Sequence, residues 1–345
     1  MDSTLPLLVN IWFFLLGLIL VLYVMSDGFD LGVGILALGA RNETQQAALM
    51  SSIGSVWGAN ETWLVLLAGA LFGAFPLAFG VILHALYIPV MLMLLGFILR
   101  GVAFEFHEHA PRKGLWGWSF GLGSLLAALA QGMILGGLLS GLRVQDRAYA
   151  GGVWDWLTPF TLLVVVGVLC GYTLLGATWL ILKTTGAVQR RSVRYARASG
   201  WLMLLAAVGV TIWTPLKFPD IAEKWFSLPN FFLIAPLPAL ALFAFFMLLR
   251  ALARGYERAP FAWSLLIFAC SFAGLAASLY PVIVPPDITL LEAAASPRTL
   301  VFMLPGIGML IPVMLVYNGY QYLVFRGKVR EGEGYGTGNE SMSDE

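Results

Sequence analysis

Four carboxylates stand in or beside long apolar runs: Asp27 and Asp30 in "SDGFD", Glu61 in "GSVWGANETWL" and Glu105 in "GVAFEF". An ionised carboxylate at the centre of a membrane helix costs about 2.5–3.5 kcal/mol on insertion scales, which makes a functional reading the default. Desolvation favours the neutral form of a carboxyl group. Such groups, spaced with water between them, form a proton relay. Asp27 and Asp30 are three residues apart and share a helix face; Trp57, Asn60, Glu61 and Leu64 share another. The Asn60 amide can hydrogen-bond a neighbouring carboxylate or water. A structural reading stands beside this one. In it the acids tie helices together, Asp27 and Asp30 cap a break at Gly28, and Glu105 is interfacial.

Other chemistries find less support. His84, His107 and His109 provide no converging ligand set for a metal or haem. Cys170 and Cys270 lie inside apolar runs and form no CxxC pair, so they read as small buried residues. "GFDLGVG" follows no strand and is not a dinucleotide fingerprint. No metal site, nucleotide loop or nucleic-acid partner is expected.

The elements that must position the acids are membrane helices. The chain has 345 residues, of which 59% are hydrophobic and 11% charged, and its mean hydropathy is +0.84. A soluble domain carries about 25% charged residues. A span needs about 20 mainly apolar residues. Nine candidates occur, at 7–37, 51–75, 79–100, 119–140, 158–182, 199–215, 230–251, 261–280 and 300–325. The tight connection near "FPLAFG" predicts that the second and third are antiparallel neighbours. The N-terminus lacks a basic segment and a cleavage site, so it reads as a retained first helix.

Alternate loops carry fifteen and five Lys and Arg residues, Arg100 being counted with the richer set. The basic side is expected to be cytoplasmic, which puts the N-terminus outside and the C-terminus inside. Residues 1–325 read as one integral-membrane domain, and 326–345 as an acidic Gly/Ser-rich tail that is disordered. Glu61 lies ten residues after Ser51, so it is expected about 15 Å deep, near the midplane. Asp27, Asp30 and Glu105 fall in the cytoplasmic half. The tryptophans at span ends form an aromatic belt, and Trp63, off the Glu61 face, reads as packing.

Four blocks carry a family resemblance: "YVMSDGFDLGVGIL" (23–36), "VWGANETWLVLLAGALFGAFP" (56–76), "ALYIPVMLMLLGFILRGVAFEF" (85–106) and "YNGYQYLVFRGKV" (317–329). They resemble subunit II of the cytochrome bd-type quinol oxidases, and within that family the cyanide-insensitive branch. The resemblance spans nearly the whole chain. It implies an all-α polytopic fold of nine transmembrane helices, two four-helix bundles plus one peripheral helix. It implies a bacterial inner-membrane heterodimer with a subunit I that carries the haems (b and d, or b only) and the quinol site. The complex would oxidise quinol and reduce dioxygen to water with cytoplasmic protons. Further implied partners are membrane lipid, a structural quinone in this subunit and a small single-helix subunit.

By the same resemblance Asp27, Asp30, Trp57 and Glu105 belong to a proton path; Asn60 and Glu61 join it on their position and chemistry, and no catalytic residue is expected in this chain. One position departs. The family's usual Trp-Asp-Gly-Asn is here Trp57-Gly58-Ala59-Asn60, so an acid is missing at 58. Glu61 lies about one turn on, roughly 4.5 Å along the helix, and matches a Glu of the cyanide-insensitive branch. Three readings follow: Glu61 relays alone, water fills the space, or the path runs through subunit I. A proton-coupled secondary transporter also explains intramembrane acids, and would place binding residues on broken helices near the midplane.

Overall fold

The computed structural model describes residues 4–107, 110–111 and 113–329. His109 and residues 330–345 of the tail lie outside the described residues.

The first helix, α1 (Leu5–Ala37), has 33 residues. At 1.5 Å per residue it is about 50 Å long, more than the ~30 Å hydrocarbon core. A short helix α2 (Glu43–Ser51) follows, capped by Asn42, whose side chain accepts the Gln45 N–H at 2.8 Å. Turns over 52–56 lead into α3 (Trp57–Ala74), which bends by 119° into α4 (Pro76–Ala85). Pro76 causes the bend: it has no N–H to continue α3, and its ring holds Phe75 out of the helical region. Then come α5 (Tyr87–His107), α6 (Lys113–Leu139) and a small hairpin, β1 (Val144–Gln145) with β2 (Ala148–Tyr149). The second half holds α7 (Pro159–Lys183), α8 (Gly186–Lys217), α9 (Pro219–Phe226), α10 (Asn230–Ile234), α11 (Pro236–Ala253) and α12 (Ala259–Leu279). A second hairpin, β3 (Val282–Val284) with β4 (Ile288–Thr289), and α13 (Leu290–Ala293) precede the last helix, α14 (Pro297–Val324).

Among the described residues, eight helical segments are long and apolar enough to cross a membrane, with α10 and α11 counted together; α3 with α4 makes a ninth, broken one. The chain is thus an all-α polytopic membrane protein. α1 is central. It packs on α3, α6 and α7, and α6 in turn packs on α5. α7, α8, α11 and α12 form a second group of four. α14 lies outside both groups, against α3 and α1.

Three expectations need correction. The connection near Phe75 is no tight hairpin, because α4 intervenes; α3 packs on α1 and α14 rather than running antiparallel beside α5. The second span starts at Trp57, not Ser51, because 52–56 are turns. Arg100 is not a loop residue: α5 continues to His107 and buries it completely. The tail also begins tethered. The Val329 N–H donates to the Lys183 carbonyl at 2.8 Å, and Lys328 pairs with Glu257 at 2.7 Å.

Helix contacts of this closeness need small residues. A Cβ added to Gly32 of α1 would run into the Tyr172 carbonyl of α7, and one added to Gly176 would run into the backbone at Gly32. This crossing sets how deeply Tyr172 reaches toward the face of α1 that carries Asp27. Gly32→Ala should therefore destabilise the protein by about 1–3 kcal/mol through overpacking. Gly17→Ala, in open space on the same helix, should not. Thermal denaturation of the purified complex checks the difference.

Candidate functional site

The acids of α1 meet a cation that reading by loops had removed from the membrane. Tyr23, Asp27 and Asp30 recur at helical spacing on one buried face of α1. Arg100 reaches them from α5, in the middle of an apolar helix. Its Nη2 donates to Asp27 Oδ1 at 2.7 Å and also to Glu61 Oε1 of α3. Asp27 and Arg100 are out of solvent, whereas the Glu61 side chain keeps 28% of its exposure. The guanidinium lies 5.5 Å from the Phe97 ring centroid and 6.0 Å from that of Trp57. Trp57 in turn stacks on Phe104 at 5.1 Å. These rings shield the ion cluster, and a cation over an aromatic face is itself favourable.

Two arms of hydrogen bonds run into the cluster. In one, the Tyr172 hydroxyl of α7 donates to Gln131 Oε1 of α6 at 2.6 Å. Gln131 Nε2 donates to the Tyr23 hydroxyl at 2.7 Å, and Tyr23 donates to Asp27 Oδ2 at 2.9 Å. Every donor points toward the Asp27 carboxyl. In the other arm, the Tyr322 hydroxyl of α14 donates to Asn60 Oδ1 at 2.8 Å. Asn60 Nδ2 donates to Asp30 Oδ2 at 2.8 Å. Five helices of the first group and its flanks, together with α7, therefore converge on one buried polar site.

Of the sequence-predicted residues, Asp27, Asp30, Trp57, Asn60 and Glu61 come together here. Asn60 hydrogen-bonds a carboxylate, as its amide suggested, and Trp63 is buried packing. Glu105 does not join them. It is exposed on the last turns of α5, five residues past Arg100 and so on another side of the helix. Glu61 is four residues into α3, about 6 Å from that helix start. Asp27, which shares Arg100 with it, is ten residues, about 15 Å, from the end of α1. Asp27 and Glu61 thus share one level, about 15 Å from the end of α1 that leads to Arg41. Gly58 faces outward, and a Cβ there would meet nothing within 4 Å. It lies about one turn before the half-buried Glu61 on α3.

Sequence reasoning missed Arg100, Tyr23, Gln131, Tyr172 and Tyr322. The signal for Arg100 was available: a lone arginine followed by seven residues that continue a helix. Tyr23 was legible as the i−4 neighbour of Asp27. The others come from distant helices, and only the packing brings them in.

Among the described residues the histidines do not form a bis-histidine haem site: His84 meets Tyr149 edge-on on α4, and His107 ends α5 at the opposite end of the bundle. Among the described residues no group of three His, Cys, Asp or Glu side chains could hold a metal ion.

Fold and site together define a multi-pass helical membrane subunit built around a buried arginine–carboxylate cluster. The family described as "Cytochrome bd terminal oxidase subunit II" matches residues 8–325, and the chain belongs to it. The chain is therefore one subunit of an oxidoreductase of the bacterial inner membrane, a class of oxidase that uses haems, and it has a subunit I partner. It is 27% identical over 360 residues to the cytochrome bd-I ubiquinol oxidase subunit 2 of Escherichia coli (strain K12), covering 92% of this chain and 94% of that one. It is 34% identical over 196 residues to the cytochrome bd ubiquinol oxidase subunit 2 of Bacillus subtilis (strain 168), covering 54% and 57%. Its fold matches the bd oxidase from Geobacillus thermodenitrificans with a TM-score of 0.73 at 18% identity, over 93% of this chain and 99% of that one.

Removing one member of a buried ion pair costs about 3–5 kcal/mol, because the other charge is left unpaired. Arg100→Leu should lower the stability of the complex by that amount. Adding Asp27→Asn and Glu61→Gln to it should recover most of the loss. Thermal unfolding of single and combined variants measures both.

Proposed function

We propose that this chain is the non-haem subunit of a terminal quinol oxidase, and that its Asp27–Asp30–Glu61 cluster supplies cytoplasmic protons to the haem-bearing subunit I. In this reading subunit I holds haem b and haem d, or haem b alone, together with the quinol site. The complex oxidises quinol and reduces dioxygen to water. The observation that carries the proposal is the arrangement around Arg100. One guanidinium bonds the buried Asp27 and the half-buried Glu61, and Asn60, next to Glu61 on α3, holds the buried Asp30.

The charges favour proton uptake. With every carboxyl ionised the cluster has an excess of negative charge in a low-dielectric site, which is costly unless protons join it. Arg100 stays charged and holds Asp27 and Glu61 at the same level. It is a clamp and not a carrier, since guanidinium does not release its proton in proteins. Gln131 and Asn60 are likewise positioning groups, because a side-chain amide does not readily take a proton at one atom and give it up at another. Carboxyls do, so transfer runs among Asp30, Asp27 and Glu61. Among the described residues, Asp30 Oδ1 and Arg100 Nε and Nη1 are buried with no side-chain or backbone hydrogen-bond partner. Buried polar atoms of this kind anchor bridging waters.

Orientation follows from charge. The helix ends near Arg41, Lys113, Lys183, Arg250 and Arg326 belong to one end of the bundle, which the positive-inside rule puts in the cytoplasm. The N-terminus is then periplasmic and the C-terminus cytoplasmic, and the cluster lies in the cytoplasmic half. Delivery to subunit I leaves from the exposed side of α3 that carries Gly58 and Glu61. The transporter reading gains nothing from the broken helix: the bend at Phe75 is about 21 Å along α3 from Glu61, and its surroundings are apolar.

Glu61→Gln keeps shape and removes the proton site. A positioned acid–base group contributes about 10²–10⁴-fold, and with water as a partial substitute the quinol-driven oxygen consumption should fall about 10- to 100-fold while the haem spectrum is kept. Gly58→Asp added to that variant should restore part of the rate, because the side chain enters open space one turn away. Unchanged turnover in Glu61→Gln would place the proton path in subunit I.

A further inference from the structure

We infer that the end of the bundle at α1 and α8 carries a binding site for the phosphate of an anionic phospholipid headgroup. Arg41, between α1 and α2, converges with Arg190, Arg191 and Arg194 of α8 around a cavity of about 200 Å³, completed by Gln45 and Ala187. That is several times the roughly 30 Å³ share of a water molecule, enough for a phosphate group with hydration.

Helical periodicity alone does not assemble this cup. Arg41 comes from a segment about 150 residues away in sequence, fixed where its N–H donates to Gln45 Oε1 at 3.2 Å. Arg191 lies 5.3 Å over the Tyr195 ring, which holds it at the edge of the cavity. Other polar side chains of the same helix are used differently. Arg197 donates to the Leu252 carbonyl at 3.2 Å, and Gln189 to Glu257 Oε1 at 2.9 Å. The ion pairs among the described residues use Arg100, Arg143 and Lys328, so among the described residues none of the four cup arginines has an acidic partner. Glu43, near in sequence, is turned to α6, where Oε1 accepts the Gly114 N–H at 3.1 Å.

Four like charges around one cavity repel, and a bound anion relieves that repulsion. The start of α8 adds to the field: Thr185 caps it with no side-chain bond, no acid stands in its first turn, and Ala187 of that turn lines the cup. Arginine is also the side chain best matched to phosphate geometry. A lipid is favoured over a soluble anion by position. The cup lies at the ends of two membrane-crossing helices, where headgroups are, and it adjoins an apolar recess lined by Leu36, Leu49, Leu180 and Val188. Basic pockets between such helices are a recurrent mode of headgroup binding. This site is remote from the carboxyl cluster in role and does not rest on the proton reading.

The test is native mass spectrometry of the detergent-solubilised two-subunit complex, titrated with phosphatidylglycerol, with phosphatidylcholine and with inorganic phosphate alone. The complex should retain phosphatidylglycerol in preference to phosphatidylcholine. With about fivefold lost per charge removed near a membrane surface, Arg190→Gln/Arg194→Gln should weaken retention by about 25-fold. Arg190→Lys/Arg194→Lys should keep most of it, and Arg254→Gln, elsewhere on the same end, all of it. An unchanged haem spectrum shows that each variant is folded. Equal retention by the Gln variant and the parent, or equal retention of the two lipids, overturns the site. Displacement of phosphatidylglycerol by millimolar inorganic phosphate overturns the lipid as its occupant. So does retention that appears only when Glu331 and Glu333 are changed to Gln, since the cup would then belong to the chain's own tail.

Discussion

A single guanidinium decides how the first helix group closes. α3 and α5 do not pack on each other along their length; each lies against its own side of the α1–α6 pair. What joins them is the bond of Arg100 to Glu61, with the Trp57–Phe104 stack beside it. The same nitrogen binds Asp27 on α1. Three helices are thus pinned at one atom in a site without water contact on two of its three members. Such pairs contribute little net stability, because desolvation offsets the Coulomb gain, but breaking them is costly. Their value lies in position: Asp27 and Glu61 cannot drift apart or leave their common depth while Arg100 stays charged.

The remaining polar groups follow from that constraint. Tyr172, Gln131 and Tyr23 form a row whose donors all face the Asp27 carboxyl, and the row is possible because Gly32 and Gly176 let α1 and α7 touch backbone to backbone. Asp30, one turn on along the same face of α1, is held by Asn60, itself held by Tyr322. The last helix, outside both groups of four, is therefore connected to the acids through one hydroxyl. The amides at Gln131 and Asn60 divide the polar site into carboxyls in the middle and hydrogen-bonded arms on either side.

Much of this was legible in the sequence, and the failures have physical causes. Apolar length marks membrane helices because backbone groups in lipid must be satisfied internally, so the spans and the all-α architecture could be read directly. The acids were legible for the same reason: a carboxylate in an apolar run demands an explanation. Arg100 was misread because a cation near a span end also fits the positive-inside pattern, and hydropathy cannot tell a flanking charge from one whose helix continues to His107. The start of the second span was misplaced because "SSIGSV" (51–56) carries no charge to mark a boundary, yet 52–56 fold as turns. The break at Phe75 was visible in Pro76, yet a proline marks a bend without giving its angle. Tyr172 and Tyr322 carried no local signal, since their meaning depends on which helices touch.

The central claim is that Glu61 takes up and releases a proton as the oxidase turns over. Reaction-induced infrared difference spectroscopy of the complex, in the protonated-carboxyl region, observes that event. The account predicts a carboxyl band that appears on oxidation–reduction, disappears in Glu61→Gln and persists in Glu105→Gln. A band unchanged by Glu61→Gln, or the loss of the band in Glu105→Gln alone, would contradict it.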